Sequence, residues 1–441
     1  MRVAFTTLGC RLNQFETEGM RQRVGQAAFE IVGFDDEAEV YVINSCAVTA
    51  RAEQKCRQIA RAVRRRQPSS RVVVAGCYAQ LSGDRLMASG EIDAVLGNEE
   101  KRSLDLYVER IADGESVHDV GRYQRGQLMG PEWIDDFGEL SRATLKVQEG
   151  CDLRCTFCAI WKARGPSRSR RPGAVVEQAI HLANAGYEEI VLAGVHLGHY
   201  GRDLGSESGL TELLDSLLEL VDPRVRFRLS SIDPGEVELS LVEKLVIEPR
   251  LCRYLHLPLQ SGSEGVLQRM RRNYSAADYE NLLRRIEEID PHFGIGADII
   301  TGFPGETHAE FEETHGLLER LPVSFFHVFR YSDREGTPAQ RMQHKVSGHV
   351  SAQRSELLRQ LGRVKKRAFT ARHVGRTVEG VVESTLDSSG RNEIMLDNYA
   401  TVFAEVSPLL HRRRVRVAVA RLDERHRLHG TVLGPVEAVP A

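Results

Sequence analysis

The run Cys151-Asp152-Leu153-Arg154-Cys155-Thr156-Phe157-Cys158 constrains this 441-residue chain more than any other segment. Its CxxxCxxC spacing puts three thiols on one short loop, and three thiolates can hold three irons of a cubane cluster. Iron–sulfur clusters of the electron-transfer kind take four cysteines. A three-cysteine loop therefore leaves one iron open to a small chelating molecule, which points to a cluster that binds and reduces a substrate. A disulfide framework does not fit, because eight cysteines are sparse for this length and no secretory leader is expected. A zinc site would show paired CxxC units or histidines, and no second pair stands in the sequence.

The length favours two to four domains. The hydrophobic fraction of 41% and charged fraction of 27% suit a water-soluble globular chain. The longest apolar runs, such as residues 190–192, are strand-sized, so no membrane span is expected. Met1-Arg2 leads straight into Val3-Ala4-Phe5, which leaves no room for a targeting peptide and implies a cytoplasmic protein whose thiols stay reduced.

Residues 1 to about 100 read as strand–helix units: strands at 3–8, 39–44 and 72–75, with helices at 14–28 and 52–66. Such alternation predicts a parallel sheet with right-handed crossovers. Cys10, Cys46 and Cys77 each fall just past a strand. Parallel strands end on one edge of the sheet, where open α/β folds bind ligands, so the three thiols can converge on a second iron–sulfur site. Cys56, inside a helix, and Cys252, at the start of a strand, read as packing residues.

From about 140 to 331 short apolar strands recur at 144–148, 189–193, 226–230, 254–257, 296–300 and 326–331. Helical stretches such as 174–185, 210–220 and 276–289 lie between them. Six such units predict a partial (β/α)6 TIM-like barrel, short of the closed eight. The cysteine loop follows the first strand, and Gly194-Val195-His196-Leu197-Gly198, Ser231-Ile232-Asp233-Pro234 and Pro258-Leu259-Gln260-Ser261-Gly262 follow the next three. Thr301-Gly302-Phe303-Pro304-Gly305-Glu306 and Ser332-Asp333-Arg334-Glu335 follow the last two. Loops at strand C-termini build the active face of such barrels. His196 and His199 taken singly read as surface or satisfied histidines. Ser167-Arg168-Ser169-Arg170-Arg171 reads equally as a phosphate contact or a solvated turn.

Residues 361–430 hold fourteen Lys/Arg against eight Asp/Glu in a chain of net charge −3, so the rest is net negative. That asymmetry suggests a polyanion-binding terminus. After a basic link at 365–372, strands at 378–383, 393–396, 401–406, 415–420 and 430–433 predict a small OB-like β-barrel. Arg412, Arg413, Arg414 and Arg416 then place cations on at least one of its faces, suited to RNA phosphates.

End to end, the chain resembles the radical S-adenosylmethionine (SAM) methylthiotransferases. The likeness runs through Thr7-Leu8-Gly9-Cys10, Asn44-Ser45-Cys46, Ala75-Gly76-Cys77-Tyr78-Ala79-Gln80 and the CxxxCxxC loop. It continues through 257–263, Gly302-Phe303-Pro304-Gly305-Glu306-Thr307 and Tyr331-Ser332. The resemblance implies an α/β chain of three domains: an N-terminal methylthiotransferase domain at 1–125, a radical SAM core at 138–370 and a TRAM RNA-binding domain at 371–436. It implies two [4Fe-4S] clusters, a catalytic one on Cys151, Cys155 and Cys158 that chelates SAM, and another on Cys10, Cys46 and Cys77. Phe157, Gly194, Val195, Ser231 and Gln260 are the expected SAM contacts. The stretch Gly9 to Glu18, with Glu16-Thr17 where relatives acting on isopentenyladenosine or on a ribosomal-protein aspartate carry Asp-Ser, looks most like the threonylcarbamoyladenosine tRNA branch.

The implied reaction replaces the C2–H of an adenine already bearing threonylcarbamoyl, 3′ to the anticodon, by a methylthio group. That C–H is too weak an acid for a side-chain base, which is why a radical cofactor is needed. Expected partners are the tRNA anticodon stem-loop, a reductant such as flavodoxin or ferredoxin, and a sulfur donor. Ala159-Ile160-Trp161 departs from the family's Ile-Ile-Pro and bears on the fine shape of the site. The rival readings are methylthiolation of a ribosomal-protein aspartate or of isopentenyladenosine, and a non-catalytic iron–sulfur RNA-binding regulator. A regulator has no need of so many strand-end loops on one face.

Overall fold

The computed structural model describes every residue except 125, 131, 206–208 and 438–441. The chain divides into two compact units: Met1–Asp136 with Gln148–Ser169 and Ser332–Gln340, and Phe137–Val147 with Arg170–Tyr331 and Arg341–Ala441. The first domain edge expected from sequence, residue 125, lies outside the described residues.

The first unit is built on strands β1 (Arg2–Thr7), β2 (Glu30–Val32), β3 (Val40–Ser45), β4 (Arg71–Gly76), β5 (Ala94–Leu96) and β6 (Val117–Asp119). They form one all-parallel sheet in the order β2-β1-β3-β4-β5-β6. Alternating side chains feed two cores. Ala4, Tyr41, Ile43, Val72, Val74 and Val95 face one way, together with Cys56 and Cys77. Val3, Phe5, Val40, Val42, Val73 and Leu96 face the other. A sheet covered on both faces needs near-continuous apolar strands, and β3 is buried at all six positions. The helices Arg11–Gln26 and Ala50–Arg66 match the expected ones, the latter started by Thr49 accepting from Ala52 N–H. The three-residue strands β2, β5 and β6 went unread, being too short to show a period.

The expected strand at 144–148 is divided. Strand β7 (Ala143–Lys146) belongs to the second unit. Gln148 and Glu149, as β8, pair antiparallel with β9 (Arg168–Ser169) in the first. The Arg-Ser run is accordingly neither a phosphate patch nor a solvated turn. Arg168 is buried and pairs with Glu99 at 2.8 Å and Glu149 at 3.4 Å.

In the second unit β7, β10 (Glu189–Ala193) and β11 (Arg226–Leu229) form one parallel sheet. Strands β12 (Tyr254–His256), β13 (Gly294–Thr301) and β14 (Phe325–Arg330) form another. Parallel bridges at Phe227–Leu251 and Ser231–His256 join the two into a six-stranded partial barrel. Residues 365–372 are no link: they complete a 24-residue helix, Gly348–Ala371, whose Ser347 cap accepts from Val350 N–H. Next come β15 (Thr377–Leu386), β16 (Asn392–Leu396), β17 (Thr401–Ala404), β18 (Arg414–Leu422) and β19 (Leu428–Pro435), closed as β15-β16-β17-β19-β18.

The small barrel is fastened to the strand N-termini of the larger one by charge. Glu189 is fully buried and accepts from Arg226 at 2.6 Å and Arg228 at 2.7 Å. Arg228 also donates to the carbonyls of Leu396 and Asp397, both at 2.8 Å. Burial alone would raise the Glu189 carboxyl, but Arg228, Arg226 and Arg142 hold it well below the usual range. The arginines expected to offer an RNA-binding face are largely spent on the same joint. Arg412 donates to the Gly138 carbonyl, Arg413 pairs with Glu188 at 2.7 Å, and buried Arg414 pairs with Glu379 at 2.8 Å. Only Arg416 of the four is exposed. A β-strand alternates its side chains, so a basic run cannot present all its charges on one surface.

Removing one partner of a buried ion pair costs about 3–5 kcal/mol. Glu189→Ala is expected to lower the stability of the metal-free protein by that order, read as a fall in melting temperature. Arg416→Ala leaves it unchanged.

Candidate functional site

Cys10 caps the helix Arg11–Gln26, Cys46 follows β3 directly, and Cys77 opens the helix Cys77–Met87 directly after β4. The parallel sheet thus brings all three to one edge, Cys10 exposed and the other two buried. Their convergence is electrostatic as well as topological. Burial pushes the Cys46 thiol up to about 12, and the neighbouring Cys77 and Cys10 push the same way. Gly9 lets the chain approach this closely. It has φ +108°, and a Cβ there would lie 2.7 Å from Cys46 Cβ and 2.9 Å from its sulfur.

The second trio sits on the loop between β8 and the helix Ile160–Arg164. Gly150 closes its base with φ +77°, where a Cβ would fall 1.9 Å from the Pro166 carbonyl oxygen, and Cys151 N–H donates to Gly165 O. Cys158 N–H donates to Cys155 O at 3.1 Å, folding the CxxC half into a turn. Burial, followed by the charges of Cys158 and Cys155, lifts the Cys151 thiol to about 12. Phe157 is half-buried between the two ligand positions. Trp161, in the departing segment, lies against Arg154 and Lys162, each 5.3 Å from its ring.

Each trio gathers three thiols whose charges would repel once they were deprotonated, which a cationic iron centre would offset. That donor set and spacing fit a cluster with three protein ligands better than a zinc site of four cysteines.

Sequence reading missed what ties the trios together. Arg164, six residues beyond Cys158, is fully buried and donates to Glu16 at 2.7 and 2.9 Å, to Glu149 at 2.9 Å and to Asn13 Oδ1 at 2.7 Å. Lys101 reaches Glu16 at 2.7 Å, and Arg102 reaches Glu149 at 2.8 Å. Burial disfavours the Arg164 charge, yet Cys77, Glu16 and Glu149 hold its proton well above the ordinary arginine range. Asn98 donates to Cys77 Sγ at 3.8 Å and to the Ala163 carbonyl at 2.7 Å. The available signal was a helix face, Asn13-Glu16-Thr17-Met20, that mixes polar with apolar residues yet is buried throughout. A cavity of about 620 Å³ is walled by Leu81 and Arg85 of the Cys77 helix, by Ala159 and Lys162 beyond Cys158, and by Arg334 and Glu335.

In the second unit, Gly194, Val195, Ser231 and Gln260 lie at the C-terminal ends of neighbouring strands. Gly194 N–H donates to Ser230 Oγ at 3.3 Å, and Gln260, held at φ +64°, bridges to Ile299. On the same edge Glu236 takes His196 Nε2 at 2.7 Å and His199 Nε2 at 2.5 Å, the two rings 3.7 Å apart. The donor atoms of these three lie within 4.8 Å of one another, a spacing that could hold a metal ion. As it stands the Glu236 carboxylate faces both ring nitrogens, and Arg202 Nη1 lies 2.8 Å from His199 Nε2. Burial would raise the Glu236 carboxyl, but hydrogen bonds from His196 and His199 bring it down to about 2.

The Radical SAM superfamily profile matches residues 145–318, and that of the Uncharacterized protein family UPF0004 matches residues 2–97. The threonylcarbamoyladenosine tRNA methylthiotransferase MtaB of Bacillus subtilis is 36% identical over 91% of this chain and 89% of its own length. MtaB of Thermotoga maritima is 37% identical over 85% of each chain. The ribosomal protein uS12 methylthiotransferase RimO of Desulforudis audaxviator is 35% identical over 87% of this chain and 85% of its own. Among solved structures, the radical SAM methyltransferase TsrM from Kitasatospora setae shares the fold, with TM-score 0.54 at 15% identity over 77% of both chains.

Because the folded Glu236 value of about 2 lies below the usual 4.5, its stabilising contribution is complete above pH 4.5 and disappears as pH falls toward 2. Glu236→Gln should therefore melt below wild type at pH 7, and the gap should narrow steadily as the metal-free proteins are scanned from pH 5 to about pH 3.

Proposed function

This chain belongs to the radical SAM methylthiotransferases, in the threonylcarbamoyladenosine tRNA branch, and we propose that Cys151, Cys155 and Cys158 hold its SAM-cleaving cluster and Cys10, Cys46 and Cys77 its second cluster. The observation that carries this reading is the buried Arg164–Glu16–Glu149–Lys101 network, which fixes both cysteine trios within one unit. With both clusters bound, the chemistry supplied is reductive SAM cleavage, hydrogen removal from C2 of the modified adenine, and delivery of sulfur that a further SAM methylates.

The chain's own residues do the holding and the excluding. Gly194, with the backbone of Val195, gives SAM a close approach at the end of β10. Ser231 and Gln260 offer hydroxyl and amide groups at the next strand ends, and Phe157 covers the loop. Arg164 keeps a positive charge beside Cys77, where a cluster's thiolate ligand would sit. Asn98 donates to the same sulfur, an interaction that tunes such sites.

The domains divide at about 1–125, 138–370 and 371–436, the last serving tRNA. A flavodoxin or ferredoxin supplies electrons. No helix among the described residues is long and apolar enough to cross a membrane.

The expected outcome of mutagenesis is asymmetric. Cys→Ala at 151, 155 or 158 abolishes deoxyadenosine formation from SAM and dithionite. The same change at 10, 46 or 77 leaves SAM cleavage but no methylthiolated product. Methylthiolation surviving in Cys46→Ala protein contradicts the second assignment. Nucleoside mass spectrometry of tRNA from a deletion strain should show loss of the 2-methylthio form with the threonylcarbamoyl form accumulating. An intact tRNA pool with an unmodified ribosomal-protein aspartate would point to the rival substrate.

A further inference from the structure

The second unit contains a groove of about 490 Å³ between the start of β14, the helix Gly348–Ala371 and the small barrel. Its walls are strongly cationic. Arg363, Lys366 and Arg367 share one helix face at i, i+3 and i+4, and Arg425 and Arg427 enter from the β18–β19 turn. Arg363 and Arg427 have acidic partners, Glu356 at 3.1 Å and Asp423 at 3.3 Å. Among the described residues Lys366, Arg367 and Arg425 form no ion pair, and all three are exposed. The sole carboxylate in the lining, Glu393, is raised above its usual value by burial and by Glu383, against the opposing pull of Arg142 and Lys366.

The floor is aromatic and continues out of the groove. Tyr399 and Phe325 lie 5.7 Å apart by ring centroid, Phe325 and His327 5.9 Å, and His327 and Phe329 6.4 Å. Residues 325, 327 and 329 share a face of β14 because strand side chains alternate. That strand is an edge, bonded to β13 alone, and Phe329 is 41% exposed. The rings therefore form a ladder from the cationic groove toward the C-terminal end of β14.

We propose that this groove and the β14 ring ladder form a track for unpaired RNA, its phosphates held by Lys366, Arg367 and Arg425 and its bases set against Phe325, His327 and Phe329. The proposal rests on the tRNA reading above and names where the RNA runs. Two features select this occupant. A polyanion alone uses the cations and leaves the rings idle, and a duplex keeps its base faces stacked internally. Unpaired nucleotides offer phosphates and free base faces together. The track also replaces the surface expected from sequence, since Arg412, Arg413 and Arg414 are committed to the joint between the barrels.

The test uses the reconstituted holoenzyme and a labelled anticodon stem-loop RNA, with anisotropy recorded over a salt series. The combined variant Lys366→Glu, Arg367→Glu, Arg425→Glu should bind at least about tenfold more weakly, and its log Kd against log salt should flatten by about 2, near 0.7 for each lost phosphate contact. Iron content and melting temperature matching wild type certify the fold. Arg425→Glu alone, on an exposed turn, gives the same direction with about one third of the change in slope. The charge-matched control Arg284→Glu, Arg285→Glu, Arg320→Glu, on exposed helix surface, retains wild-type affinity. Phe329→Ala should weaken the stem-loop by about five- to a hundredfold, the range for one base–aromatic stack, and leave an equally charged blunt duplex unaffected. Wild-type affinity and salt slope in the triple variant overturn the track. So does a control variant that loses as much affinity, or an unchanged stem-loop affinity in Phe329→Ala. A wild-type protein that binds the stem-loop on these residues yet never methylthiolates it overturns the proposed function and leaves the track standing.

Discussion

A single buried guanidinium organises the first unit. Arg164 is enclosed by Glu16, Glu149 and Asn13, and those partners come from a helix near the chain start and from β8. Ions taken out of water are tolerated only with close, complete pairing. Here Lys101 and Arg102 complete it, each bonded to one of the same two carboxylates. The consequence is positional. The loop bearing Cys151, Cys155 and Cys158 cannot shift without breaking several charge-assisted hydrogen bonds to the helix that begins at Cys10. Reactive centres need ligands fixed within fractions of an ångström, and a saturated ionic network supplies directional rigidity that apolar packing does not.

The second unit repeats the device for another purpose. Glu189 gathers Arg226, Arg228 and Arg142 at the base of the partial barrel, and Arg228 extends the network to carbonyls of the small barrel. An open half-barrel has a base that a closed eight-stranded barrel fills with branched apolar layers. Here charged residues fill it, and the same residues hold the C-terminal module. This explains why the basic run at 412–416 is mostly interior, and why the free cations appear instead on a helix and a turn beside the edge strand β14.

Much of the architecture was legible because it follows period and punctuation. The second barrel strand and the helices Leu210–Leu220 and Ala276–Ile289 fall where expected, since each has a clean apolar period and defined ends. Strand ends also placed the candidate residues: Cys46 follows β3, Cys77 follows β4, and Gly194, Ser231 and Gln260 stand at successive barrel-strand ends. What failed was local charge reading. Residues 365–372 looked like a link because they are basic, but they form the last turns of a capped helix, with Phe369 and Thr370 buried and Lys366 and Arg367 exposed. Arg168 looked solvent-facing because it sits in a Ser/Arg run, yet it is buried against Glu99 and Glu149.

The sequence alone determined the ligand types, their spacing within each loop or βα unit, the order of elements and the family likeness, because those depend on neighbours along the chain. The tertiary structure decided which charges are spent inside and which remain for a partner, because an ion pair across more than a hundred residues, such as Arg164 with Glu16, leaves no periodic trace in either segment.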